Sequence, residues 1–224
     1  MIPRNIFQTH KSRQYILNKS SIKNAVTSWS KYSNQFEYFF YDDQMCEEFM
    51  KNFDENIYSA YCKLPLAVMK ADLWRYCIIY QFGGIYADTD TICKVHPGIF
   101  ITDSLTIVPE NEVHLCQWIF SAPKNCPILK SVIDLSVERI LGSEIKGEHI
   151  IHHLTGPGVF TDGIEKYLIQ NSMPTFQDKK QYHKYPNDVL KVFNYNFFHK
   201  NIVQHLFTGN DSDGWCKERD LLLC

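Results

Sequence analysis

The chain has 224 residues, of which 45% are hydrophobic and 14% aromatic, so it can bury a full core and is neither disordered nor fibrous. Its net charge of -2 excludes a general nucleic-acid-binding surface, which needs a basic face. The sequence shows neither a long apolar run of the kind that spans a membrane nor the apolar segment of a signal peptide at its start.

The first half of the chain alternates predicted strands and helices. Strands are predicted over Ile2–Gln8 and Phe36–Tyr41, and helices over Ser20–Tyr32 and from Asp42 to about Phe53. This alternation predicts an α/β layer architecture.

The central segment predicts one amphipathic helix followed by a buried strand. Pro65 suits the first turn of that helix, and Gly83 and Gly84 would end it. Ile85–Ala87 then reads as a short buried strand. The apolar stripe of the helix consists of Leu66, Met69, Leu73, Tyr76, Cys77 and Tyr80.

The remaining elements are less regular. Strands are predicted at Leu105–Val108 and Leu115–Ser121, helices at Pro127–Leu141 and Val159–Gln170, and an irregular tail from about Asn171. No linker or repeat divides the chain, so we predict one domain over residues 1–224.

Two acids follow the buried strand. Asp88 and Asp90 stand at i and i+2, which would direct both carboxylates to one face if the strand continued. At a strand end such a pair suits Mg²⁺ or Mn²⁺. The alternative is a pair of turn acids that cap backbone N–H groups.

A second charged pair lies on the preceding helix. Asp72 and Arg75 are three residues apart and therefore on neighbouring faces. They could form an ordinary ion pair on the helix surface, or a carboxylate and a forked donor that bind sugar hydroxyls or phosphate.

These segments together resemble the sugar-binding region of glycosyltransferases with a DXD motif. Ala71–Tyr76 and Gly83–Asp90, within about residues 60–95, are most similar to the family of the yeast initiating α-1,6-mannosyltransferase, often called family 32, which has capsular-polysaccharide and giant-virus relatives. They also resemble the catalytic domain of the large clostridial glucosylating toxins. Weaker similarities lie at Ile2–Gln8, Trp118–Pro127, Thr155–Pro157, His205 and Trp215.

The resemblance implies the GT-A fold, a single Rossmann-like α/β domain whose mixed, mostly parallel sheet is flanked by helices. It implies a metal-dependent, retaining glycosyltransferase that moves a hexose from a UDP- or GDP-linked sugar to a glycan, protein or lipid-linked acceptor. No residue of the sequence stands out as a nucleophile, so we expect the acceptor hydroxyl to attack from the face that the diphosphate leaves. No nucleic-acid partner is expected.

The resemblance also assigns roles to individual residues. Asp90 would ligate Mn²⁺ or Mg²⁺ directly, Asp88 would bind the donor or a metal-bound water, and His205 would be a third metal ligand. Asp72 and Arg75 would hold hydroxyls of the transferred sugar, and with Asp88 and Asp90 they form the predicted catalytic set.

Further donor contacts are expected elsewhere in the chain. Gln8 and Thr9 would lie near the nucleotide, Gly84 near the donor, and Trp215 against the diphosphate. Simple packing is the alternative for Trp215.

Two polar stretches outside these motifs have a plainer interpretation. The histidines at 149, 152 and 153 are interpreted as a loop in contact with solvent or acceptor, and Glu110–Glu112 as a solvated loop near the acceptor.

Two other classes of function remain open. A phosphatase of the haloacid-dehalogenase type also carries two acids, two residues apart, after an apolar strand, in the pattern DxDx(T/V), and there Asp88 would be the nucleophile and Asp90 the general acid. A non-catalytic sugar-binding module is the second alternative.

The expected compartment is the cytoplasm. The eight cysteines form no CxxC pair, and several lie in apolar stretches, as reduced packing thiols do. The sequence begins at the first predicted strand, without the membrane helix that Golgi relatives usually carry, so we expect a soluble transferase of bacterial or viral type.

Overall fold

The computed structural model describes residues 1–207, and eight strands lie in that part of the chain. They are β1 (Asn5–Thr9), β2 (Glu37–Tyr41), β3 (Gly84–Ala87), β4 (Thr91–Cys93), β5 (Leu105–Ile107), β6 (Ile119–Ala122), β7 (Leu190–Val192) and β8 (Val203–His205). The principal sheet has the order β2-β1-β3-β6-β5-β7, and β4 pairs with β8 separately. Only β6 runs antiparallel to its neighbours in the principal sheet, which is therefore mixed and mostly parallel, as predicted.

Helices cover both faces of this sheet. They are α1 (Arg13–Asn18), α2 (Ser20–Ser30), α3 (Asp43–Phe53), α4 (Glu55–Lys63), α5 (Ala67–Phe82), α6 (Pro127–Gly142), α7 (Ile150–Leu154), α8 (Pro157–Gln170) and α9 (Tyr195–Asn201). Phe7 and Tyr86 point to the face that packs against α3 to α8, whereas their neighbours Ile6 and Ile85 point to the face that packs against α2 and α9. This alternation follows from the two-residue period of a strand.

The helix that precedes the DXD motif differs from its prediction. Residues 72–79 of α5 are all buried, so the helix is enclosed on every side and has no exposed polar face. Pro65 lies two residues before the helix instead of in its first turn. Gly83 ends the helix as predicted, with a φ of +67° that favours glycine.

The tail was predicted to be irregular, and this prediction was wrong. A 3₁₀ helix at Lys179–Lys184, β7, α9 and β8 all lie after Asn171. The two strands are short, and β7 pairs with β5 while β8 pairs with β4. Each of these strands forms by pairing with a strand that is distant in sequence, and no local sequence pattern reveals such a pairing.

The six cysteines in residues 1–207 are unpaired, and Cys62 is the exposed one among them. Within the same residues, no helix has the length and apolar character needed to cross a membrane.

Candidate active site

The DXD motif lies in a turn at the carboxyl end of β3. Strand β3 ends at Ala87, and β4 begins at Thr91, so Asp88 and Asp90 do not continue the strand. The amide of Asp88 donates to the carbonyl of Trp118 at 2.9 Å, and the amide of Thr91 donates to the carbonyl of Asp88 at 3.1 Å. These bonds fix the turn that presents both acids.

Gln8 fixes the same turn from β1. Its side-chain amide donates to the carbonyls of Ala87 at 3.3 Å and Asp88 at 3.1 Å, and its oxygen accepts from the Tyr38 hydroxyl at 2.8 Å. Gln8, for which a contact with the donor was predicted, is fully buried. It positions the DXD turn instead.

Asp88, Asp90 and His205 form the candidate metal centre. Each offers one ligand atom, and these atoms lie within 4.8 Å of one another. The pairing of β4 with β8 aligns Thr91 with His205, which brings the histidine to the motif from the far end of the chain. Nε2 of His205 lies 3.1 Å from Oδ1 of Asp90.

The imidazole of His205 is held in orientation by its surroundings. The ring stacks on Trp118 with centroids 4.6 Å apart. Burial lowers the pKa of His205, but Asp90, Asp88 and Glu110 outweigh burial and raise it above its ordinary value. The acids around the ring therefore favour a positive charge at this point.

Asp72 and Arg75 form a buried pair beside this centre, so the interpretation as a surface ion pair is wrong. Their side chains are 1% and 5% exposed, and Oδ1 of Asp72 lies 2.9 Å from NH2 of Arg75. The same NH2 lies 3.4 Å from Asp88, the guanidinium sits 4.6 Å over the ring of Tyr86, and the side-chain oxygen of Gln117 accepts from NH1. The guanidinium thus links the two acids.

The electrostatics of this pair reflect burial. Burial raises the pKa of Asp72 to about 7, although Arg75 and a hydrogen bond from Thr155 favour the ionised form. Burial also raises the pKa of Asp88, again against Arg75. Burial opposes the charge of Arg75, but Asp88, Tyr86 and Asp72 more than offset it and raise its pKa, so the guanidinium stays charged.

These groups open onto one cleft of about 320 Å³, a volume within the usual range for small-molecule sites. Of the predicted site residues, the cleft is lined by Thr9, Asp72, Arg75, Asp88, Asp90 and His205. The hydroxyl of Thr9 donates to the carbonyl of Tyr41 at 2.9 Å and lies 3.2 Å from Sγ of Cys46, so it already has hydrogen-bond partners within the protein. Trp215 lies outside the described residues.

Gly84, for which a donor contact was predicted, is not among the residues that line the cleft. It begins β3, at the end of the strand opposite the DXD motif. Its φ is +128°, and a Cβ there would stand 2.7 Å from the carbonyl oxygen of Asn5. Glycine is required by the close approach of β1, not by a ligand.

The histidine-rich stretch is helical instead of the predicted loop. His149 precedes α7, which contains His152 and His153, and His152 lines the cleft. In residues 1–207 the Asp88–Asp90–His205 group is the one cluster of three or more side chains suited to a metal.

Several cleft residues were not predicted. Tyr86 donates to Asp88, Gln117 accepts from Arg75, and Trp118 stacks on His205. Tyr86 could have been found, because it stands two residues before Asp88, and in the predicted strand the two side chains would share one side of the sheet. Gln117 and Trp118 reach the site through the pairing of β6 with β3, which gives no local signal.

Comparison with known sequences identifies relatives. Residues 19–113 match the family described as "Glycosyltransferase sugar-binding region containing DXD motif". The chain is 26% identical to the initiation-specific alpha-1,6-mannosyltransferase of Candida albicans, over 80% of this chain and 57% of that protein. It is 31% identical to the Schizosaccharomyces pombe protein of the same name, over 50% of this chain and 35% of that protein.

A viral relative matches a shorter stretch. An uncharacterized glycosyltransferase of Acanthamoeba polyphaga mimivirus is 36% identical over 63 residues, which cover 28% of this chain and 25% of that protein. The chain therefore spans little more than half of the Candida relative, and less of the other two.

Comparison with solved structures confirms the predicted GT-A fold. The structure named PaToxG Glycosyltransferase superposes with a TM-score of 0.55 at 17% sequence identity, over 75% of this chain and 70% of that one. At this identity the likeness concerns the fold alone.

Proposed function

We propose that this protein transfers a hexose from a nucleotide-diphosphate sugar to a hydroxyl of a glycan, protein or lipid-linked acceptor, because residues 19–113 match the family of glycosyltransferase sugar-binding regions that contain a DXD motif. The Candida and fission yeast relatives are named mannosyltransferases, so mannose is the first sugar to test. UDP-linked hexoses form the second group of candidate donors.

One observation carries this proposal: the candidate metal centre and the buried Asp72–Arg75 pair open onto the same cleft. Two carboxylates and an imidazole within 4.8 Å of one another suit a divalent cation. We propose Mn²⁺, or Mg²⁺, held by Asp88, Asp90 and His205. Such a cation, when bound, neutralises negative charge on a departing diphosphate.

The residues around the centre supply the rest of the chemistry. Arg75 carries a fixed positive charge beside Asp88, which favours the negative charge that develops as the donor bond breaks. Asp72, held by Arg75 and Thr155, offers a carboxylate to sugar hydroxyls. The cleft walls orient the two substrates, which lowers the entropic cost of reaction.

We propose that the configuration of the sugar is retained. An acceptor oxygen would bond to the anomeric carbon on the face from which the diphosphate oxygen departs. The hydroxyl proton would pass to that departing oxygen. This route needs no protein nucleophile, in keeping with Asp72 and Asp88 both being bound to Arg75.

The two alternatives are less well supported. The matched family is one of glycosyltransferases, and Asp88 shares its carboxylate between Arg75 and Tyr86, which leaves it poorly placed as a phosphatase nucleophile. A non-catalytic module would bind a sugar without converting it, so measured turnover of a nucleotide sugar would exclude that alternative.

The test is a panel of nucleotide sugars with Mn²⁺, scored by thermal unfolding and by release of nucleoside diphosphate. GDP-mannose or one UDP-hexose should raise the melting temperature by several degrees at a hundredfold excess over Kd, and chelation of Mn²⁺ should abolish the shift. Turnover of phosphate monoesters without any effect of nucleotide sugars would overturn the proposal in favour of the phosphatase. A melting shift without any turnover would favour the binding module.

A further inference from the structure

Glu110 lines the cleft from a hydrogen-bonded turn, and the proposed reaction assigns it no role. It lies in the turn between β5 and β6, and its amide donates to the carbonyl of His114 at 2.9 Å. The side chain of Asn111 accepts from the amides of Val113 and His114, each at 2.7 Å. The turn is further closed by a β-bridge between Pro109 and Leu115.

The carboxylate of Glu110 has unused hydrogen-bonding capacity. Its Oε2 is buried and accepts no hydrogen bond from any residue in the described part of the chain. Glu112, two residues away in the same turn, instead points outward and pairs with Lys180. A buried carboxylate oxygen without a partner is costly, and such groups in clefts are often satisfied by a ligand.

The chemistry of the surroundings restricts the ligand. An ionised carboxylate offers only hydrogen-bond acceptors and repels an anionic phosphate. A hydroxyl group suits the carboxylate in either protonation state, because it can both donate and accept a hydrogen bond. A neutral polyol such as a sugar therefore fits this position.

Glu110 reaches the cleft from a different part of the sheet than the groups proposed to hold the donor. It follows β5, whereas the DXD motif follows β3, and β6 lies between these strands in the sheet. Glu110 makes no hydrogen bond to the Asp72–Arg75 pair in the described structure. A transferase must hold a second hydroxylated substrate in the same cleft.

We infer that Glu110 binds a hydroxyl of the acceptor and so contributes to the choice of acceptor. This inference rests on the proposed transferase function. It makes Glu110 an acceptor-binding residue and not a ligand of the cation.

The test compares Glu110→Gln with Glu112→Gln, which removes an acid from the exposed side of the same turn. The donor is the nucleotide sugar that the wild-type protein hydrolyses with Mn²⁺, and the acceptor is the methyl glycoside that it uses best. Glu110→Gln should raise the KM for this glycoside about tenfold, the loss expected for a hydrogen bond to a charged group. Donor hydrolysis by water and the calorimetric affinity for Mn²⁺ should be unchanged, and Glu112→Gln should behave as the wild type.

The contrary results are distinct from one another. An unchanged KM for the glycoside in Glu110→Gln would overturn the inference while leaving the transferase intact. A weakened affinity for Mn²⁺ would overturn it as well, since Glu110 would then act through His205 and the cation. Absence of both hydrolysis and transfer in the wild-type protein would instead refute the proposed function itself.

Discussion

The hydroxyl of Thr155 donates to Oδ2 of Asp72 at 3.1 Å across 83 residues of sequence, and both side chains are buried. The carbonyl of Thr155 accepts from the hydroxyl of Tyr76 at 2.7 Å, on the same helix as Asp72. The turn before α8 is therefore attached to α5 at two points. The hydrogen bond from Thr155 favours the ionised form of Asp72.

Removal of the Thr155 hydroxyl should shift the pH dependence of transfer. Burial raises the pKa of Asp72 to about 7, and the hydrogen bond from Thr155 opposes that rise by favouring the ionised form. If transfer needs ionised Asp72, Thr155→Val should move the acidic limb of the kcat/KM profile to higher pH by about one unit, the equivalent of one hydrogen bond to a charged group. The profile is measured with the donor identified from the nucleotide-sugar panel.

The matched control keeps the hydroxyl. Thr155→Ser should retain the acidic limb of the wild-type protein, even if its stability falls through the loss of a methyl group. Identical profiles for Thr155→Val and the wild type would show that Asp72 does not govern the acidic limb.

Loss of Arg75 should destabilise the folded protein. Arg75→Ala would leave Asp72, and in part Asp88, without its counter-charge in a buried site. Breaking a buried pair in this way costs about 3–5 kcal/mol in the free energy of unfolding. Urea denaturation at neutral pH measures the loss.

The surface of the same protein offers a control for Arg75. Arg139 lies 2.7 Å from Asp162, whose side chain is 49% exposed, so Arg139→Ala should cost no more than about 1 kcal/mol. Equal losses for the two variants would contradict the burial of the Asp72–Arg75 pair.

Gly84 should tolerate no side chain. Its φ of +128° and the 2.7 Å separation between a built Cβ and the oxygen of Asn5 would strain β3 against β1. We expect Gly84→Ala to lower the free energy of unfolding by about 2 kcal/mol or more. Below its unfolding temperature, the variant should keep the wild-type affinity for the donor, because Gly84 does not line the cleft.

Gly142 at the end of α6 provides the comparison. A Cβ there would meet nothing within 4 Å, so Gly142→Ala should leave stability unchanged or slightly raised. If Gly84→Ala instead weakens donor binding in a protein of normal stability, this result would support the donor contact predicted for Gly84 from the sequence.

The sequence predicts the parts of this fold that local chemistry determines. Gly83 ends α5 because its positive φ favours glycine. The short apolar run after it forms the buried strand β3, as predicted. Asp42 begins α3 by accepting from the amide of Met45, as the predicted helix start requires. The DXD motif could be placed from these signals alone.

The parts that sequence reasoning missed depend on tertiary contacts. Asp72 and Arg75 have the spacing of a surface pair, and only the enclosure of α5 makes them a buried one. Glu110 and Glu112 look alike in sequence, but the turn sends one inward and the other outward. Such differences arise from how the turn is held, which residue type and spacing do not specify.

Asp90 should be indispensable for binding the cation and for activity, but not for the fold. Asp90→Asn keeps the shape of the side chain while removing its negative charge beside Asp88 and His205. We expect the variant to lose Mn²⁺ binding in a calorimetric titration, and with it donor hydrolysis, transfer and the donor-induced rise in melting temperature. The melting temperature without ligand should change little, because the loss of the Asp90 contact with His205 is offset by relief of the repulsion between Asp88 and Asp90.

The control for Asp90 is Asp134→Asn, which removes an exposed acid that pairs with Lys130 on α6. This variant should bind Mn²⁺ and turn over the donor as the wild-type protein does, because its carboxylate is 55% exposed and lies outside the cleft. Full Mn²⁺-dependent activity of Asp90→Asn would refute the assignment of the candidate metal centre. Restoration of its activity by a higher Mn²⁺ concentration would instead show that Asp88 and His205 hold the cation between them, with Asp90 adding affinity alone.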